Sequence, residues 1–397
     1  MDAGTAEPPR PHIHGLVTPA PRTPQPRARA GWRLSILLLA AAAMVTGVLG
    51  GLLRAGIVLP ASWQGPVLGQ GLLQHAALMT CGFFGTVIGI ERAVALNARY
   101  AFAAPLFTGL GAVALLNQST VAIGGWLLVA GAAVFSLASA RIVQRQPAAH
   151  TAVLLVGALC WLVASLAFAL NLAPLATLAG WLAFLIITIA GERLEMTRLM
   201  RRHPAAQPAL FGIVAAMLAG AVLCAFHPAA GSALYGAALV LLALWLARFD
   251  IARRTIVAEG LSRYMAIALL VGYAWLAVGG AAWVAMAFGA PTRDAALHAI
   301  GLGFIVSMVM AHAPVILPAV ARVKLLYGPW FYLPLALLHG SLLLRVVPGY
   351  GDPAMLRMGA VLNALAILLF VLTVVGSAIA WKRQKERRPA KRPTSAR

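Results

Sequence analysis

Apolar positions in this chain are grouped in long continuous blocks, separated by short polar segments. Blocks of about 20 apolar residues, long enough to cross a hydrocarbon core of about 30 Å as a helix, recur along most of the chain. They fall at about 34–53, 70–90, 101–116, 121–140, 151–171, 174–191, 209–226, 229–247, 264–288, 295–318, 328–347 and 354–381. The pattern predicts an all-α polytopic membrane protein with twelve transmembrane helices over residues 33–381, with the lipid bilayer as its solvent. A Pro/Arg-rich tail (1–32) and a basic tail (382–397) flank this membrane domain.

Composition supports the pattern, since 61% of residues are hydrophobic and only 10% are charged, against about 25% charged in a soluble domain. The formal net charge of +21 would suggest nucleic acid in a soluble protein. Here the basic residues sit between apolar blocks and in the tails, which makes them topogenic and removes nucleic acid as a partner. With a cytoplasmic N-terminus, the inside segments collect 27 Lys and Arg, while the outside segments receive only Arg54, Arg293, Arg345 and Arg357. This alternation fits the positive-inside rule for twelve spans with both termini cytoplasmic. The first 32 residues hold seven prolines and no apolar run, too little apolar surface to fold. No cleavable leader pattern precedes the first block, so it should remain as a signal anchor. His12 and His14 in the tail lack the ligand count of a metal site. Cys81, Cys160 and Cys224 all lie inside apolar blocks and read as small hydrophobes, with no disulfide or zinc site.

Intramembrane histidines carry the candidate chemistry. His75 opens HAALMTCGFFGTVIGIER (75–92) in the outer third of span 2, and His298 opens HAIGLGFIVSMVMAHAPVILPAV (298–320) near the outer end of span 10. His312 follows 14 residues later, about 21 Å deeper on an α-helix and within about 40° of the same face. His339 falls near mid-membrane on span 11. Neutral imidazole is an axial ligand of haem iron and a good copper ligand, and His75 with His298 meets the depth condition for ligands on facing helices. His312 and His339 form a second candidate site. Gly82, Gly85, Gly301 and Gly303 follow the two outer histidines, where small residues admit either a flat macrocycle or a neighbouring helix. Met308 is a gap filler with a thioether suited to Cu(I). Pro314 removes the donor to the Met310 carbonyl, so span 10 should bend beside His312.

Glu91-Arg92 ends span 2, and Glu192-Arg193 ends span 6, 101 residues later. Paired charges anchor helix ends at the membrane boundary, where Arg can snorkel; a proton-entry role for Glu91 or Glu192 is the alternative.

Twelve spans with histidines on spans 2 and 10 resemble the haem-copper oxidase subunit I architecture. The openings HAALMTCGFFG and HAIGLGF resemble those of the NnrS family, multi-span haem- and copper-associated proteins linked to nitric oxide stress. The resemblance implies a haem b held by His75 and His298 near the outer face. It also implies a bacterial inner-membrane location, and a redox partner or a gaseous ligand such as nitric oxide. It carries His312 and His339 as a second site, with copper as a further cofactor. Spans 6 and 7 contain no histidine and His227 stands alone after span 7, so a complete oxidase dinuclear centre is not expected. A secondary transporter of a small solute is the competing class, since twelve spans suit it, although spans 1–6 show no duplication in 7–12. A scaffold without a ligand is the third.

Overall fold

The computed structural model describes residues 31–63, 65–197, 203–320 and 323–387. It is 86% helical, with no strand among the described residues. The helices follow the apolar blocks. They are α1 (Arg33–Arg54), α2 (His75–Leu96), the shorter α3 (Tyr100–Ala114), α4 (Gln118–Arg145), α5 (Ala149–Ala169) and α6 (Pro174–Met196). The second half comprises α7 (Ala206–Leu223), α8 (Pro228–Phe249), α9 (Gly260–Ala287), α10 (Arg293–Pro318), α11 (Pro329–Tyr350) and α12 (Pro353–Glu386). Eleven are long and apolar enough to cross a membrane, which defines an all-α polytopic membrane fold. The third block yields a helix too short for the full hydrocarbon core. It is cut off at Asn117, whose side chain accepts from the Ser119 backbone N–H and starts the next helix.

Most helices pack on their sequence neighbours, and glycines set the closest approaches. A Cβ on Gly236 of α8 would lie 2.6 Å from the Gly280 carbonyl oxygen of α9, the close backbone approach that small residues permit between membrane helices. Helix α6 is the most buried of the long helices, with α2 and α10 next, while α1, α7 and α12 mostly face outward. At the centre Trp161 stacks on Phe184 with centroids 4.5 Å apart, and its indole N–H donates to the Cys81 sulfur at 3.2 Å.

The helices on either side of the candidate site depart from α geometry in the same way. Helix α2 is α-helical at His75–Ala77, π-helical at Leu78–Gly85 and α-helical again at Thr86–Leu96. Helix α10 is α-helical at Arg293–His298, π-helical at Ala299–Val306 and α-helical from Ser307. A π turn holds one residue more than an α turn, and such turns concentrate at functional sites. In both helices the wide stretch begins just after the outer histidine.

Several expectations change in detail. Trp245 is buried and its indole N–H donates to the Ala206 carbonyl at 2.7 Å. Trp63 and Trp330 are exposed. The last helix continues through Lys382 to Arg387, into the basic segment. Lys, Arg, Gln and Glu are good helix formers, and cations suit a helix C-terminus. The tail over 1–30, including His12 and His14, and the segment 388–397 lie outside the described residues.

Candidate functional site

His75 and His298 meet across the space between α2 and α10. Their imidazole centroids are 6.4 Å apart and the ring planes are inclined by 27°. His75 Nδ1 lies 2.6 Å from the Gly47 carbonyl oxygen of α1. His298 Nδ1 lies 2.9 Å from the Asp294 carbonyl oxygen and 3.1 Å from Asp294 Oδ1. A carbonyl only accepts, so each Nδ1 carries the proton and each Nε2 keeps its lone pair. That is the tautomer in which an imidazole binds a metal, oriented through its second nitrogen.

The supports are themselves held. Arg345 of α11 grips Asp294 with two bonds, Nε to Oδ2 at 2.9 Å and Nη2 to Oδ1 at 2.7 Å. This planar two-point pairing fixes the carboxylate as well as neutralising it. Gly51 makes room for the other ring: a Cβ there would lie 2.7 Å from His75 Cε1.

The two histidines line a cavity of about 820 Å³ enclosed by α1, α2, α6, α10, α11 and α12, within the range of small-molecule and cofactor sites. Leu178, Trp181 and Leu182 of α6 supply apolar wall, and Arg54, Arg293 and Arg345 lie at the end where the outward loops begin. Gly301 also lines it, and a Cβ there would touch nothing within 4 Å. The other three glycines are explained by packing: Gly82 against Ala112 and Ala43, Gly85 against Trp161, and Gly303 against Trp275.

His312 and His339 are committed elsewhere. His312 Nδ1 donates to the Met308 carbonyl at 2.7 Å, and its Nε2 faces Arg193 Nη2 at 3.0 Å. His339 Nδ1 accepts from the Trp275 indole N–H at 3.1 Å, and Ser307 Oγ lies 3.5 Å from its Nε2. His312 is therefore left without a free lone pair for a metal. The α-helical phase argument that placed His298 and His312 on one face omits the intervening π stretch, in which each extra residue turns the later positions by about 100°. Among the described residues no group of three or more His, Cys, Asp or Glu is gathered as a metal ion would need. His227 is exposed at the start of α8.

Arg193 is also not the snorkelling boundary charge expected of its Glu-Arg pair, because its side chain turns inward to His312. Met308 packs against Gly272 as a gap filler. Pro314 does free the Met310 carbonyl, and the Tyr264 hydroxyl donates to it at 3.1 Å. Sequence reasoning passed over Asp294, although Asp four residues before His298 is a readable spacing for a helical hydrogen bond. Arg345 and Gly47 left no local signal, since their roles depend on helices distant in sequence.

Fold and cavity together define a polytopic all-α membrane protein with a histidine-walled chamber near one end of the bundle. Residues 33–379 match the family model described as Domain of unknown function (DUF8744), and the chain belongs to that family. Neither the curated proteins nor the solved structures contain a match to it.

Proposed function

We propose that this cavity holds a haem b with His75 and His298 as axial ligands, in a multi-pass protein of a bacterial inner membrane that serves redox chemistry. The ring separation carries the reading. Two nitrogen–iron bonds of about 2 Å, with about 1.1 Å from each nitrogen to its ring centroid, require centroids about 6.2 Å apart. The observed value is 6.4 Å. Both Nε2 lone pairs are available, both Nδ1 atoms are anchored, and Arg54 and Arg293 give the cavity cations to meet acidic substituents.

When bound, such a group supplies reversible one-electron transfer. With both His75 and His298 engaged in holding the group, the arrangement would favour electron transfer over activation of a gas such as nitric oxide, which the NnrS resemblance implies. Copper fits less well, because His312 already pairs with Arg193. The chain's own contribution is to hold two neutral imidazoles at fixed separation within apolar walls.

The test is the absorbance and pyridine-haemochrome spectrum of the purified protein and three variants. His75→Ala and His298→Ala should each abolish the low-spin signal, while His227→Ala should keep it. A colourless wild-type protein, or an unchanged low-spin spectrum in correctly inserted His75→Ala, overturns the assignment.

A further inference from the structure

A second polar centre is buried around the C-terminal end of α6, further along α6 and α10 than the residues that line the histidine-walled cavity. Arg193 is 7% exposed, Asp250 at the end of α8 is 2% exposed, and Tyr273 of α9 is 1% exposed. Arg193 Nε, Asp250 Oδ2 and Tyr273 Oη are all buried without a hydrogen bond of good geometry. The Tyr273 hydroxyl nonetheless lies against the Asp250 carboxylate, and the charge of Arg193 acts on both. Native interiors leave few polar atoms unsatisfied, and such groups call for a function or a partner. Ionisable groups inside a membrane bundle mark ion and proton routes more often than structure.

The pairing at His312 dictates what the centre can do. Because Met308 O must accept, His312 Nδ1 carries a proton and Nε2 accepts from Arg193 Nη2. A proton arriving at Nε2 turns that acceptor into a donor, facing a guanidinium that can only donate. The contact must then break. The displaced guanidinium has an acceptor in the Asp250 carboxylate, which takes the Ala252 backbone N–H on Oδ1 at 2.7 Å and has the Tyr273 hydroxyl beside it. Burial pushes the Asp250 carboxyl up, opposed by the Ala252 N–H, by Arg193 and by the Tyr273 hydroxyl. An approaching guanidinium therefore favours its ionised form.

We propose that His312 is a proton-binding site whose occupancy moves Arg193 between two partners, from His312 when the imidazole is neutral to Asp250 when it is protonated. The transferred species is one proton from the aqueous side on which α6, α8 and α10 meet, and no bond other than N–H forms. Besides Arg193, the titratable and charged groups around the centre are Glu192 and Glu195 of α6, and His150 of α5 facing Glu195 at 3.7 Å. Glu91 and Arg92 of α2 act on Glu192, Tyr264 of α9 bonds Met310, and His339 of α11 bonds Trp275. None of these meets His312 Nε2 in place of Arg193. The switch is independent of what fills the outer cavity.

Full-length protein in nanodiscs, labelled with ¹⁵N at histidine and arginine, tests this by solid-state NMR. The His312 signal is identified by its loss in His312→Gln. At alkaline pH it should show the Nδ1–H tautomer in contact with Arg193, and the contact should vanish as the imidazole titrates. Asp250→Asn should lower the proton affinity of His312 about tenfold or more, and Arg193→Gln should raise it by a similar factor, the size expected from removing a nearby buried charge. An Nε2–H tautomer at alkaline pH, an Arg193 contact that survives protonation, or an unchanged affinity in folded Asp250→Asn overturns the proposal. The wild-type contact measurement decides the matter even if both variants fail to fold.

Discussion

At the scale of single residues, the site depends on small atoms placed where larger ones would collide. Gly51 is the clearest case, because a methyl group there would overlap the His75 imidazole. Gly51→Ala should tilt the ring off the cavity and cost about 1–3 kcal/mol of stability as an overpacking change. The expected outcome is an inserted protein whose bound haem per chain falls several-fold. Haem quantification against protein, with thermal unfolding in detergent, checks both parts. Asp294 carries a second expectation. Asp294→Asn keeps the volume but weakens the acceptor shared by His298 and Arg345. Loss of such a ligand-orienting contact typically costs about 10–100-fold in affinity for the bound group, and haem titration of the apo variant should show a loss of that size. Undiminished affinity would mean that the backbone carbonyl alone orients His298.

At the scale of elements, the repeated motif is a histidine followed within three residues by a π-helical stretch, in α2 and again in α10. The extra residue in each wide turn sets the rotation between the outer histidine and the inner half of its helix. In α2 it lets His75 face α10 while Cys81 and Gly85 still pack on Trp161. Deleting one residue within Leu78–Gly85 should restore α pitch and rotate His75 by about 100° relative to the inner half. The protein should still reach the membrane and should lose its low-spin spectrum. Retention of that spectrum would show that the π turns do not set the ligand geometry. Apolar content and span length survive such a change; only the phase is altered.

At the scale of the whole molecule, the remaining expectation is sidedness. The 27-to-4 division of basic residues requires both termini on the cytoplasmic side, provided that the short helix α3 crosses with its neighbours. Reporter fusions at Gln118 and at Arg397 should report opposite sides of the membrane. The nine helices α4–α12 separate the two positions, so fusions on the same side would mean that one of those nine does not cross.

The number of helices and their order follow from the chain alone. Hydrocarbon demands about 20 apolar residues per crossing, and charge between crossings marks the inner side. That requirement is local, so it can be read in blocks and loops. The pairing of His75 with His298 was legible as a match of depth on two spans, which is one coordinate of a three-dimensional contact. The other coordinates came from packing. Rotation about each helix axis was set by π turns invisible to an α-helical wheel, and by contacts such as Gly47, Gly51 and Arg345 that come from distant segments. His312 shows the same division, for its depth was readable, whereas its capture by Arg193 depends on how α6 and α10 face each other. Side-chain partnership between helices is a tertiary property, because lipid constrains the length and polarity of each span but not its azimuth.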